Sequence, residues 1–183
     1  EEVEAGKVQV IAPEGFLEHA VSENIIAGPA MTRRARFQFG TTLTRGVEGE
    51  MTSGLGPGIS NGTISLIAPT DIISKTGQEL VIDGVKLVFQ VTPGTEAPAE
   101  MNFFLPDMRA LFMAENANAT MHNLLPARGA QVRNAKDWAD YLTQAVRLYG
   151  NNTDVMFAAH GIPRFGTEVI RDYLTKHRDA YKY

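Results

Sequence analysis

Glu79-Leu80-Val81-Ile82-Asp83-Gly84-Val85-Lys86-Leu87-Val88-Phe89-Gln90-Val91 is two strand-forming runs joined by Asp-Gly. Asp-Gly is suited to the left-handed backbone of a tight hairpin turn, so the stretch predicts two antiparallel strands. Downstream, Met101-Asn102-Phe103-Phe104-Leu105 and Ala110-Leu111-Phe112-Met113-Ala114 predict two more strands, separated by a turn at Pro106-Asp107. Upstream, Lys7-Val8-Gln9-Val10-Ile11 predicts a strand closed by Pro13 and Gly15, and Thr63-Ile64-Ser65-Leu66-Ile67 another ending at Pro69.

Helical periodicity flanks this strand-rich centre. Leu17, Ala20, Val21, Ile25 and Ile26 recur at helical spacing from Phe16 to Ala27, and Gly28-Pro29 stops them. A second helical stretch runs from Ala30 to Phe37, where Arg33-Arg34-Ala35-Arg36 forms a solvated face. Residues 46–62, with Gly54, Gly56, Gly58 and Gly62, read as a long loop. Neither lysine nor helix follows Gly54-Leu55-Gly56-Pro57-Gly58, so it is not a phosphate-binding loop. Further on, Asn134 caps a helix with apolar positions Trp138, Tyr141, Leu142, Ala145, Val146 and Tyr149, closed by Gly150. Val155-Met156-Phe157-Ala158-Ala159 is a buried-type strand, and a last helix begins near Thr167. Strands followed by alternating helix and strand predict a layered α/β domain.

The chain has 183 residues, 44% hydrophobic and 21% charged, enough to bury one core. Its net charge of −4 and interspersed signs exclude a nucleic-acid-binding footprint. There is no apolar run of membrane-spanning length and no recognisable signal peptide. With no cysteine, thiolate metal sites, disulfides and thiol nucleophiles are all excluded. Any metal must be held by carboxylates and by the four histidines, His19, His122, His160 and His177. Glu1 is not an initiator methionine, and the chain stops inside a helical pattern at Tyr181-Lys182-Tyr183. The expectation is an excerpt of a longer protein.

Glu96 follows one predicted strand, Glu115 follows a second, and His160 ends a third. Strand ends are rigid mounts for a metal site, and zinc accepts both imidazole and carboxylate. On residue type alone, solvated loop glutamates and a hydrogen-bonded structural histidine are the commoner origin of such a pattern. Arg128 and Arg133 lie near Asn123 and together suit a tetrahedral oxyanion, because guanidinium forks match sulfate or phosphate oxygens. Surface arginines ahead of a helix are the alternative. His19 and His177 on helices, and His122 in a predicted one, read as packed or surface residues.

Three strings add a resemblance. Pro93-Gly94-Thr95-Glu96-Ala97-Pro98-Ala99-Glu100-Met101-Asn102-Phe103-Phe104 is similar to the alkyl sulfatases of the metallo-β-lactamase superfamily. So are Met113-Ala114-Glu115-Asn116-Ala117-Asn118-Ala119-Thr120-Met121-His122-Asn123-Leu124 and Leu125-Pro126-Ala127-Arg128-Gly129-Ala130-Gln131-Val132-Arg133. Matches at Val8-Gln9-Val10-Ile11-Ala12-Pro13, Glu18-His19-Ala20-Val21 and Arg178-Asp179-Ala180-Tyr181-Lys182-Tyr183 extend it over nearly the whole chain.

The resemblance implies an αββα metallo-β-lactamase sandwich of which residues 1–183 are the C-terminal part of the catalytic domain. It implies a pair of zinc ions with Glu96, Glu115 and His160 among the ligands, Glu115 shared between them. It implies that Asn123, Arg128 and Arg133 contact the sulfate, and that alkyl or aryl sulfate esters are hydrolysed to an alcohol and inorganic sulfate. A homodimer, periplasmic or secreted, is the further expectation. The family's His-x-His-x-Asp-His motif falls upstream of Glu1, and its helical dimerisation and sterol-carrier-like domains fall downstream, so the segment alone is expected to be inactive. Gly161-Ile162 stands where the family has His-Trp, which bears on leaving-group protonation and pocket shape. Two alternatives accompany this reading: another hydrolase of the superfamily, or an anion-binding remnant without turnover.

Overall fold

The computed structural model describes residues 1–52, 63 and 65–183. The glycine-rich reading at Gly54, Gly56, Gly58 and Gly62 lies outside the described residues. Strands β1 (Ile11–Pro13) and β2 (Asp71–Ile73) pair in parallel as a small sheet. Between them come helix α1 (Phe16–Val21), a π-helical stretch at Ser22–Ile26, and helix α2 (Gly28–Phe39). The first helical run ends at Ile26, as Gly28-Pro29 predicts, and Pro29 belongs to the helix that follows. It sits in the first turn of α2, where its missing N–H breaks no helical bond.

A six-stranded sheet holds the rest, in the order of the chain: β3 (Glu79–Ile82), β4 (Val85–Val91), β5 (Met101–Leu105), β6 (Ala110–Phe112), β7 (Val155–Phe157) and β8 (Arg164–Phe165). The β3–β4 hairpin forms as predicted, with Asp83 and Gly84 both left-handed at φ 49° and 81°. Within this sheet β6 and β7 are the parallel pair, and the crossover between them carries helix α3 (Ala135–Leu148). Helix α4 (Thr167–Lys182) follows β8.

Register sorts the sheet's two faces. Phe104, Leu111 and Met156 are cross-strand neighbours facing α3 and α4, where Trp138, Leu142, Ile170 and Leu174 complete a buried core. The opposite row is Phe89, Phe103, Phe112 and Phe157, with successive ring centroids 6.2, 4.7 and 5.1 Å apart. Residues Val10 to Pro13 face this aromatic row across a cavity of about 360 Å³.

Two strand expectations are shortened, β6 stopping at Phe112 and β7 at Phe157, so that His160 lies three residues beyond its strand, and two more are displaced or lost. The predicted strand Lys7–Ile11 is displaced to Ile11–Pro13, and residues 63 and 65–67 of the second are not strand. Parallel pairing of Ile11 with Asp71 sets the register of both, and it begins only beyond Pro69. No described helix is long and apolar enough to cross a membrane.

Candidate metal centre

Three loops at one end of the six-stranded sheet build the site. The first leaves β4 at Thr92, turns through Gly94 (φ 74°), and delivers Glu96; the Thr95 hydroxyl donates to the Thr92 carbonyl at 2.6 Å. The second leaves β6. Met113 N still donates to Phe157 O at 2.9 Å and Ala114 O accepts from Ala159 N at 2.7 Å, but Ala114 is left-handed at φ 46°, and Glu115 follows in a turn outside the strand. A left-handed alanine is uncommon and strained, and here it aims the carboxylate that follows. The third is the segment after β7, which carries His160.

Glu96, Glu115 and His122 offer ligand atoms that all lie within 4.8 Å of one another. His122 Nε2 is 3.0 Å from Glu115 Oε2 and 3.7 Å from Glu96 Oε1. His160 Nε2 is 2.7 Å from the other oxygen of Glu115. One carboxylate therefore stands between two imidazoles. His122 is the residue that sequence reasoning missed. It lies in no helix, but in the irregular stretch between β6 and α3. Its Nδ1 faces the Asn123 carbonyl at 3.1 Å, and its main-chain N–H and carbonyl both bond the Tyr181 hydroxyl, at 3.2 and 3.1 Å. A ring whose second nitrogen faces a carbonyl has the orientation of a metal-ligating histidine.

The electrostatics follow. The hydrogen bond from His122, with His160 adding to it, holds the Glu115 carboxyl below the ordinary carboxylate range. The same bond raises His122 above the usual histidine value. Glu100, on the wall of the large apolar cavity, is pushed up to about 7 by burial, with Glu96 and Glu115 repelling its charge as well.

The three anion-site candidates separate. Arg133 is buried and gives its guanidinium to protein groups: Nε to the Glu96 carbonyl at 2.7 Å, Nη2 to Glu96 Oε1 at 2.5 Å, and Nη1 to the Asn123 carbonyl at 3.2 Å. Asn123 is exposed and its amide donates to the Leu125 carbonyl at 2.8 Å. Arg128 is fastened by its main chain, whose N–H bonds Gln38 Oε1 at 3.0 Å, while its side chain makes no ion pair among the described residues. Arg128, Arg133 and Glu96 line a cavity of about 70 Å³. His19 lies in α1, and His177 is buried in α4 against Tyr173 and Tyr181, as packed residues.

The donor set, two carboxylates and two imidazoles without sulfur, is chemically suited to zinc. Glu96, Glu115, His122 and His160 are the described groups able to hold it.

No protein-family model matches the chain. Among solved structures of distant sequence, an archaeal metallo-β-lactamase superfamily protein from Sulfolobus tokodaii matches with a TM-score of 0.53 at 17% identity, over 96% of this chain and 60% of that one. The fold is the metallo-β-lactamase α/β fold. Within it, much nearer relatives appear. The chain is 46% identical to a linear primary-alkylsulfatase of Pseudomonas sp. over 100% of this chain and 27% of that protein. It is 47% identical to an alkyl/aryl-sulfatase of Saccharomyces cerevisiae, again over 100% of this chain and 28% of that protein. The solved stereoselective inverting sec-alkylsulfatase from Pseudomonas sp. superimposes with a TM-score of 0.94 at 47% identity, over 99% of this chain and 29% of that one. The chain is homologous to the alkylsulfatases along its whole length. It spans little more than a quarter of the length of the curated relatives it matches.

Proposed function

We propose that the protein carrying this chain hydrolyses alkyl or aryl sulfate esters to an alcohol and inorganic sulfate, using zinc held in part by Glu96, Glu115 and His160. The observation that carries the reading is the convergence of Glu96, Glu115, His122 and His160 beside a guanidinium-lined cavity. Full homology to enzymes named alkylsulfatases supports the substrate class. Zinc, when bound, supplies Lewis acidity and a lowered water pKa, and a pair of ions is the expected complement.

The chain's own residues then divide the remaining work. Arg128 lines that cavity with a guanidinium that makes no ion pair among the described residues, and it is the group to meet the sulfate, since an arginine fork matches its oxygens. Asn123, on the same loop but outside the cavity lining, is the further donor of this reading. Arg133 neutralises and fixes Glu96, and shares the cavity wall. His122 orients Glu115 from the side opposite His160. The reading extends to a partial catalytic domain within a homodimeric, periplasmic or secreted protein, which sedimentation and cell fractionation check.

Sulfate release from dodecyl sulfate by the full-length protein tests the activity. Release that stops on chelation and returns with zinc supports the proposal. Full activity after exhaustive chelation, or hydrolysis of lactones but no sulfate esters, overturns it.

A further inference from the structure

Two carboxylates that serve one metal centre repel each other, so their separation has to be imposed from outside. Glu96 and Glu115 ride on different loops, and one buried amide joins the roots of both. Asn116, directly after Glu115, is 1% exposed. Its Nδ2 donates to Thr92 Oγ1 and to Asn102 Oδ1, each at 2.9 Å. Thr92 is where the Glu96 loop leaves β4. The Asn116 carbonyl accepts Trp138 Nε1 at 2.9 Å, which pins the same residue to α3. Beyond Asn102 the row continues to Gln90 Oε1 at 3.0 Å, and from Gln90 Nε2 to Gln144 Oε1 at 2.8 Å.

We propose that Asn116 is a positioning residue of the metal centre, whose amide sets the separation of Glu96 and Glu115 by tying one carboxylate loop to the root of the other. It acts through those two side chains and touches neither metal nor substrate. Stability alone is a poor explanation for it. Asn116 Oδ1 is buried with no hydrogen-bond partner among the described residues, which costs the fold, and an apolar side chain would avoid that cost. The group that is fully used is Nδ2, and both of its bonds run toward β4 and β5, which flank the Glu96 loop.

This inference rests on the reading that Glu96 and Glu115 hold zinc, and the test separates the two. In the full-length protein, zinc dissociation constants are measured by competition with a chromophoric chelator, at a temperature where circular dichroism shows each variant folded. Asn116→Ala and Thr92→Val each weaken zinc binding by about tenfold or more, the usual size of an outer-shell loss. Thr92→Ser, which keeps the hydroxyl, matches the parent. Should Asn116→Ala fail to fold, Thr92→Val against Thr92→Ser decides the matter. Parental affinity in Asn116→Ala and Thr92→Val, with zinc lost in Glu115→Ala, overturns the inference and leaves the zinc reading standing. Parental affinity in Glu115→Ala as well overturns both.

Discussion

Arg133 holds Glu96 at two points, its Nη2 2.5 Å from the carboxylate and its Nε 2.7 Å from the carbonyl of the same residue. A guanidinium fork used this way fixes the side chain and the loop that bears it together. The Arg133 side chain is 3% exposed and that of Glu96 19%, so solvent screens the pair little. Removing one member of such a pair strands the other charge. Arg133→Ala is therefore expected to destabilise the chain by about 3–5 kcal/mol in urea unfolding. In the full-length protein it should also weaken zinc binding by about tenfold or more, because Glu96 loses the group that holds it. Near-normal stability and zinc affinity would sink the assignment.

Glu100 gives a pH signature. Its carboxyl is pushed up from the ordinary 4.5 to about 7 in the folded chain, chiefly by burial. A raised carboxyl pKa means the unfolded chain ionises first, so Glu100's contribution is present below pH 4.5 and is lost as pH rises to 7. Glu100→Gln removes that loss. The variant should equal the parent near pH 4 and exceed it at pH 8 by on the order of 2–3 kcal/mol. Parallel stability curves for the two proteins across that range would refute the burial argument.

Zinc stoichiometry distinguishes one ion from two. Glu96, Glu115, His122 and His160 amount to a single four-ligand set, and a dinuclear pair needs more. Residues 1–183 alone should take up at most one zinc per chain in calorimetric titration and release no sulfate from alkyl esters. Two tightly held ions with turnover would mean that other groups of this chain complete the site.

Gly161 directly follows His160 and lies at φ 90°, and a Cβ there would come within 2.7 Å of Ala119 Cβ. Gly161→Ala should cost about 1–2 kcal/mol from the left-handed backbone, with the contact adding to it. The displaced Ala119 loop leads to His122, so the His122 imidazole resonances should shift in NMR spectra. Unchanged stability and unchanged resonances would contradict the packing.

The hairpin was legible because Asp83-Gly84 states its turn type in two residues, and Trp138, Leu142 and Tyr149 announce α3 by their spacing. Glu96, Glu115 and His160 were legible as side chains at strand ends. His122 was not, because its surroundings read as a helix, whereas the path of residues 113–134 is irregular and held by bonds to Trp138 and Tyr181. The available signal was length. A long segment without regular structure inside a compact domain is commonly a functional loop. The slip at β1 has a different origin. Lys7–Ile11 alternates acceptably, but strand position is decided by the partner, and Asp71–Ile73 pairs with Ile11–Pro13.

Tyr181 lies in α4, yet its hydroxyl bonds both main-chain groups of His122 and its ring stacks on Trp138 at 4.5 Å. One phenol thereby couples the helical layer to the loop that carries a ligand candidate. In Tyr181→Phe the His122 amide loses that partner and should exchange with solvent deuterium faster than in the parent, while the amides of β5 and β6 keep their protection. The loop at His122 is thus only as firmly seated as a ring some sixty residues away in the chain.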